Sequence, residues 1–231
     1  MIGVFLGTQA NNWNQDRLER SEAREYRSQI IDNLRANEGE IAMRASYYRQ
    51  VRAHALAAMN SLNRADARLG EPFLIDAYQA SQVWLRPFER TAFDELQASG
   101  VARKIGDAQT RAELSAYYVG ARGFDARIAE LMDYREQLRR NMDLGVQQRI
   151  HARCDDIMRD IPTGGQAPVL PDTCSLGLDP AVAARTAATL RAVPGFREDL
   201  TRLIVDLDQK LVLFDRTAIN AARLREKLER S

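Results

Sequence analysis

Two cysteines and two histidines are all that this 231-residue chain carries of the commonest soft and borderline metal ligands, which leaves little material for a metal cluster or for imidazole acid/base chemistry. It has 33 basic against 32 acidic residues, spread along the chain, so the cationic footprint that a phosphate backbone demands is missing and nucleic acid is excluded as an expected partner. Lysine is nearly absent: Lys104, Lys210 and Lys227 are the whole set, and the other basic residues are arginines. That could serve bidentate anion recognition, but their scatter favours plain compositional bias. No Ser/His/Asp set, no phosphate-cradling glycine loop and no paired carboxylates on one face stand out, so no enzymatic activity and no cofactor are expected. No segment alternates in the manner of a strand.

What is present is 45% apolar residues, enough to bury a core and exclude disorder. The N-terminus is the unusual part. Met1-Ile2-Gly3-Val4-Phe5-Leu6-Gly7 is apolar and uncharged, continues through Thr8-Gln9-Ala10, and meets Asn11-Asn12-Trp13-Asn14 before a highly charged helix. A spanning helix needs roughly 20 apolar residues, about twice what is here. The expectation is therefore the outer half of a transmembrane helix over residues 1–13, with the Trp13 ring at headgroup depth. The competing reading is a short buried helix start. No basic stretch precedes the run and no A-x-A-like site follows it, so a cleaved signal peptide is not expected.

Past the anchor, helical spacing of apolar residues predicts a first helix from about Asn12 to Leu69, with a stripe of Tyr26, Ile30, Leu34, Ile41, Ala45, Tyr48, Val51, Ala55, Met59 and Leu62. At 1.5 Å per residue it would run roughly 85 Å, long enough to pair with another chain, with Gly39 as a joint. Gly70-Glu71-Pro72 ends it, and a second helix is predicted from Phe73 to Arg86. Thr91 to Gly100 reads as a capped short helix, with Thr91 at the N-cap and Gly100 as the C′ residue. Asp107 opens a third long helix whose stripe runs from Leu114 to Ile157 through Leu131, Leu138 and Cys154. A Pro/Gly-rich loop spans Pro162 to Leu178. Asp179-Pro180 then starts the last helical stretch, which Pro194-Gly195 divides. The fold class expected is all-α: an antiparallel bundle of about four helices over residues 14–231, its long first helix continuing from the anchor.

Several of these segments together resemble a bacterial family. They are the apolar tail ending in Asn11-Asn12-Trp13-Asn14, Glu25-Tyr26 with Ile30 to Leu34, and Thr91-Ala92-Phe93-Asp94-Glu95-Leu96-Gln97-Ala98-Ser99-Gly100. Ile105-Gly106-Asp107, Leu114 to Tyr118 and Pro194-Gly195-Phe196-Arg197 complete the set. The combination covers nearly the whole chain and resembles the family catalogued as domain of unknown function 6090. The resemblance implies a single N-terminal transmembrane helix followed by a soluble helical domain, with a longer apolar N-terminus than this chain has. It implies no catalytic residue.

Cys154 and Cys174 flank the Pro/Gly-rich loop, and a bridge between them would close about 20 residues and stabilise by about 3 kcal/mol in the chain-entropy model. Such a bridge belongs to the periplasm and not the cytosol; the alternative is two free thiols, with Cys154 a small core residue. His151 and Cys154 lie three apart with Asp155 and Asp156 adjacent, which could supply two or three metal ligands, but a zinc site would want a further ligand from another helix, and the only other histidine, His54, lies one residue before the Ala55 stripe position. The bland reading of that group, a bundle-edge histidine beside a disulfide cysteine, is the stronger. Tyr47-Tyr48 and Tyr117-Tyr118 could line a pocket, although aromatics on a helical stripe usually form core. Glu25, Glu95 and Asp107 read as caps and surface pairs. The functional expectation is a single-pass bacterial inner-membrane protein with a periplasmic interaction or assembly module. Its partners would be membrane lipid and either a protein or a second copy of itself. A sensor-like bundle binding a small ligand between helices is the alternative.

Overall fold

The computed structural model describes residues 2–64, 69–129, 133–160 and 166–230. The chain is mostly helical, as expected. In order it forms α1 (Ile2–Asn63), α2 (Glu71–Gln79), α3 (Thr91–Ser99), a 3-10 turn (Ala102–Lys104) and α4 (Ala108–Ala129). Then come α5 (Asp133–Asn141), α6 (Leu144–Cys154), a two-stranded antiparallel hairpin of β1 (Ile157–Asp160) and β2 (Gln166–Val169), α7 (Pro180–Ala192) and α8 (Phe196–Arg230). Among the described residues, no helix is long and apolar enough to cross a membrane.

The residues gather into two compact units. The first holds 1–41, 86–125 and 216–231, and the second 42–85 and 126–215; α1, α4 and α8 each contribute to both. The core of the first unit joins Ile30 and Leu34 of α1, Phe93 and Leu96 of α3, Leu114 and Tyr118 of α4, and Leu224 and Leu228 of α8. Phe93 stacks on Tyr118 with ring centroids 4.3 Å apart. The second unit buries Val51, Ala55 and Ala58 of α1, Phe73 and Leu74 of α2, Leu138 of α5, Ile150 of α6, Leu190 of α7, and Leu200 and Leu207 of α8. Tyr134 meets Phe196 there, and Tyr48 stacks on Phe214.

Local signals set several boundaries where expected. The Asp179 carboxylate accepts the Ala181 and Val182 N–H groups with Pro180 in the first turn of α7, filling donors that a helix start leaves orphaned. The Asp107 carboxylate does the same for Thr110. Gly100 follows α3 with φ +79°, and Gly195 separates α7 from α8 with φ +79°, backbone that an L side chain resists.

Elsewhere the structure departs from the sequence reading. α1 ends at Asn63 and runs unbroken through Gly39, with no joint there. α2 stops at Gln79 instead of Arg86, because the segment after it takes its partners from side chains. Ser81 turns its hydroxyl back on the Tyr78 carbonyl, the Tyr48 hydroxyl accepts the Trp84 N–H, and the Asn37 side chain both accepts from Glu89 N–H and donates to its carbonyl. Side-chain bonds of this kind compete with helix continuation. α3 begins one residue earlier than expected, with Arg90 at the N-cap and the Glu89 carboxylate accepting the Arg90 and Thr91 N–H groups. The single third helix expected is interrupted: α6 starts afresh after Asn141, where Asp143 accepts the Val146 N–H, and Leu131 of the expected stripe lies outside the described residues. Ile157 leaves the stripe altogether and starts β1, a strand exposed along its whole length, so it had no alternation to read.

Candidate functional site

The N-terminal half of α1 carries the least conventional surface of the chain. Trp13 is 68% exposed and Leu18 54%, and the Arg17 guanidinium lies over the Trp13 ring, 5.7 Å from its centroid. An indole held by a cation but otherwise in water buries little apolar area. From there the helix presents Arg17, Arg20, Arg24 and Arg27, steps of three, four and three that a 3.6-residue turn brings to one face.

These four arginines and Lys104 line a cleft of about 310 Å³ whose remaining walls are Ala23, Ile105 and Gly106. Gly106 sits at φ +55°, and a Cβ added there would come within 2.9 Å of Thr110, so the turn that brings Lys104 against α1 depends on glycine. Among the described residues, no carboxylate lines the cleft. Asp16 and Glu19 stand on its border, where Lys104 pairs with both and Arg103 reaches Glu19 at 3.2 Å. The Lys104 hydrogen bond holds the Asp16 carboxyl below the usual range, and the Arg103 bond does the same for Glu19. Arg20 pairs with Asp16 in an exposed contact, of a kind that contributes little. Among the described residues Arg24 makes no ion pair, and Arg17 has only the Trp13 ring. The signal for this face was its helical spacing. It was hidden because arginines are scattered through the whole chain and because Lys104 and Gly106 come from a turn about 80 residues on in sequence.

The second group of interest surrounds the cysteines. Cys154 and Cys174 lie at disulfide distance, their Cα atoms 5.6 Å apart, within the span a bridge allows. Cys154 is fully buried at the end of α6, its carbonyl accepting from the Gln79 amide. On the far side of the loop the Glu71 carboxylate accepts the Ser175 hydroxyl and the Leu176 and Leu178 N–H groups. Burial pushes the Glu71 carboxyl up, but those donors outweigh it and the net shift is downward.

The partial metal-ligand set does not assemble. His151 is exposed and its Nδ1 faces Asp155 at 3.1 Å, while Asp156 accepts from the Tyr47 hydroxyl. His54 pairs with Asp76 at 2.8 Å. Among the described residues no group of three or more His, Cys, Asp and Glu could hold a metal ion. Tyr47, Tyr48, Tyr117 and Tyr118 are buried and pack on one another and on neighbouring rings, which is core and not pocket lining. Glu25 and Glu95 are exposed. Half-buried Arg135 and Arg139 bond the Ser81 carbonyl and hydroxyl, and Arg139 lies 3.5 Å over the Tyr78 ring, placing cations at the C-terminal end of α2, where the helix dipole favours them. No family model, curated protein or solved structure matches this chain.

Proposed function

We propose that this chain is a membrane-anchored helical module for interaction or assembly, single-pass in a bacterial inner membrane with its helical part in the periplasm, of the kind its resemblance to domain of unknown function 6090 implies. The observation that carries this reading is that α1 runs as one helix from Ile2 through the apolar tail and past an exposed Trp13 into residues that are buried. An aromatic ring stacked with a guanidinium suits the bilayer interface. The cysteine pair at disulfide distance favours an oxidising compartment. An antiparallel bundle of about four helices belongs to the same proposal, supported in the first unit by the core that α1, α3, α4 and α8 share. Lipid is the partner of the N-terminal helix, and a protein or a second copy that of the helical part; catalysis and nucleic acid have no place in it.

Flotation of the full chain with phosphatidylcholine vesicles tests the anchoring. The protein is expected to float, and Trp13→Ala to reduce the bound fraction several-fold; wild-type protein left at the bottom of the gradient would refute it. Light scattering over a hundredfold concentration range tests assembly, where a monomer throughout would exclude self-association. The other reading, a sensor-like bundle that takes a small ligand between helices, draws on a single observation, the cationic cleft.

A further inference from the structure

We infer that the cleft between α1 and the turn at Lys104–Gly106 is a binding site for a phosphoryl group, supplied by an anionic lipid headgroup or by a soluble phosphate compound. Its lining includes five cationic side chains and, among the described residues, no carboxylate. Two of the five, Arg17 and Arg24, have no carboxylate partner among the described residues, so the charge of these two is not offset by a paired acid. Like charges at successive turns of a helix repel one another, and an anion lodged between them relieves that repulsion.

Geometry and chemistry agree with a small anion. At about 310 Å³ the cleft lies at the lower end of the range for small-ligand sites, about 300–1,000 Å³. Guanidinium groups offer planar, paired donors that match phosphate oxygens, and they remain charged at any physiological pH. The floor of Ala23, Ile105 and Gly106 sets no side-chain acceptor against an oxyanion. Lys104, oriented by Asp16 and Glu19, supplies a charge from the opposite wall. The inference goes beyond anchoring and does not require it, because a soluble phosphate compound would fit the same donors.

The test uses the full-length chain in two arms. One is calorimetric titration with inorganic pyrophosphate; the other is flotation with phosphatidylglycerol against phosphatidylcholine vesicles. The cleft variant is Arg17→Gln with Arg24→Gln, two exposed positions whose replacement leaves the core intact. The matched control is Arg191→Gln with Arg223→Gln, exposed arginines outside the cleft, which removes the same charge. Saturable binding is expected in at least one arm, weakened tenfold or more in the cleft variant and less than twofold in the control, with Arg24→Gln alone giving at least threefold. Binding to pyrophosphate assigns a soluble phosphate, and a preference for phosphatidylglycerol assigns a headgroup; either supports the site. No saturable binding in either arm, or equal weakening by both double variants, overturns it. A chain that binds pyrophosphate but no vesicle refutes the anchoring and keeps the cleft. One that floats on phosphatidylcholine with no dependence on Arg17 and Arg24 and binds no pyrophosphate does the reverse.

Discussion

The Tyr47 hydroxyl donates to both carboxylate oxygens of Asp156, at 3.1 Å each, across 109 residues of sequence. It ties α1 to the two-residue link between α6 and the hairpin. Burial pushes the Asp156 carboxyl up, the Tyr47 hydrogen bond pulls it down, and neighbouring Asp155 pushes it up again, for a net rise. Desolvation also raises the Tyr47 phenol, so it remains a donor.

Tyr47→Phe is therefore expected to destabilise by about 1–2 kcal/mol at pH 7, where it strips an ionised carboxylate of its donor. Because the folded pKa of Asp156 lies above the unfolded one, the folded state holds the proton more tightly. Its contribution is full below the ordinary carboxylate value and is lost as pH rises through the folded pKa. Since the Tyr47 hydrogen bond pulls the Asp156 carboxyl down and so favours its ionised form, the deficit of Tyr47→Phe should be smaller at pH 3.5 than at pH 7 in urea titrations, and a deficit independent of pH would contradict the assignment.

Glu71 gives the opposite sign. Its folded pKa is lowered, so its stabilisation is present above about pH 4.5 and is lost as pH falls through the folded value. Glu71→Gln replaces a carboxylate that accepts three donors with an amide that meets them less well. A loss of about 1–3 kcal/mol at neutral pH is expected, with wild type and variant converging in acid. Amide exchange at Leu176 and Leu178 should quicken in the variant.

Reducing the cysteine pair tests the loop. Joining residues 20 apart constrains the unfolded chain by about 3 kcal/mol. The urea midpoint of the oxidised protein should fall by that equivalent on adding dithiothreitol, and Cys174→Ser should match the reduced form. Thiol titration of the unfolded, unreduced protein should find none.

Phe93→Ala should be the most damaging of the changes considered. It removes a buried ring stacked 4.3 Å from Tyr118 in a core shared by α1, α3, α4 and α8, and such truncations cost about 3–5 kcal/mol. A thermal melt of the variant should show the first unit unfolding well before the second.

Features that a few consecutive residues determine were legible in the sequence: the Asp179-Pro180 start, the glycine stop at Gly100, the break at Gly195, and the helical stripes. Features whose cause lies far along the chain were not. α2 ends early because Tyr48 and Asn37 take over the backbone groups of Trp84 and Glu89, and neither residue announces that role. The β1 strand has no buried face to generate a period. The cleft arginines show their spacing on α1, but only the turn at Lys104–Gly106 makes a concavity of them.

The order of the segments has a consequence for synthesis. The unit that receives residues 1–41 also takes in residues 216–231, which are made long after them. Until Leu224 and Leu228 emerge, the core cluster they share with Ile30 and Leu34 stays incomplete, so a nascent chain carries a sticky helix while the intervening segments are made. Because the segments of the two units alternate along the chain, no single cut isolates either one, and truncation does not dissect this protein.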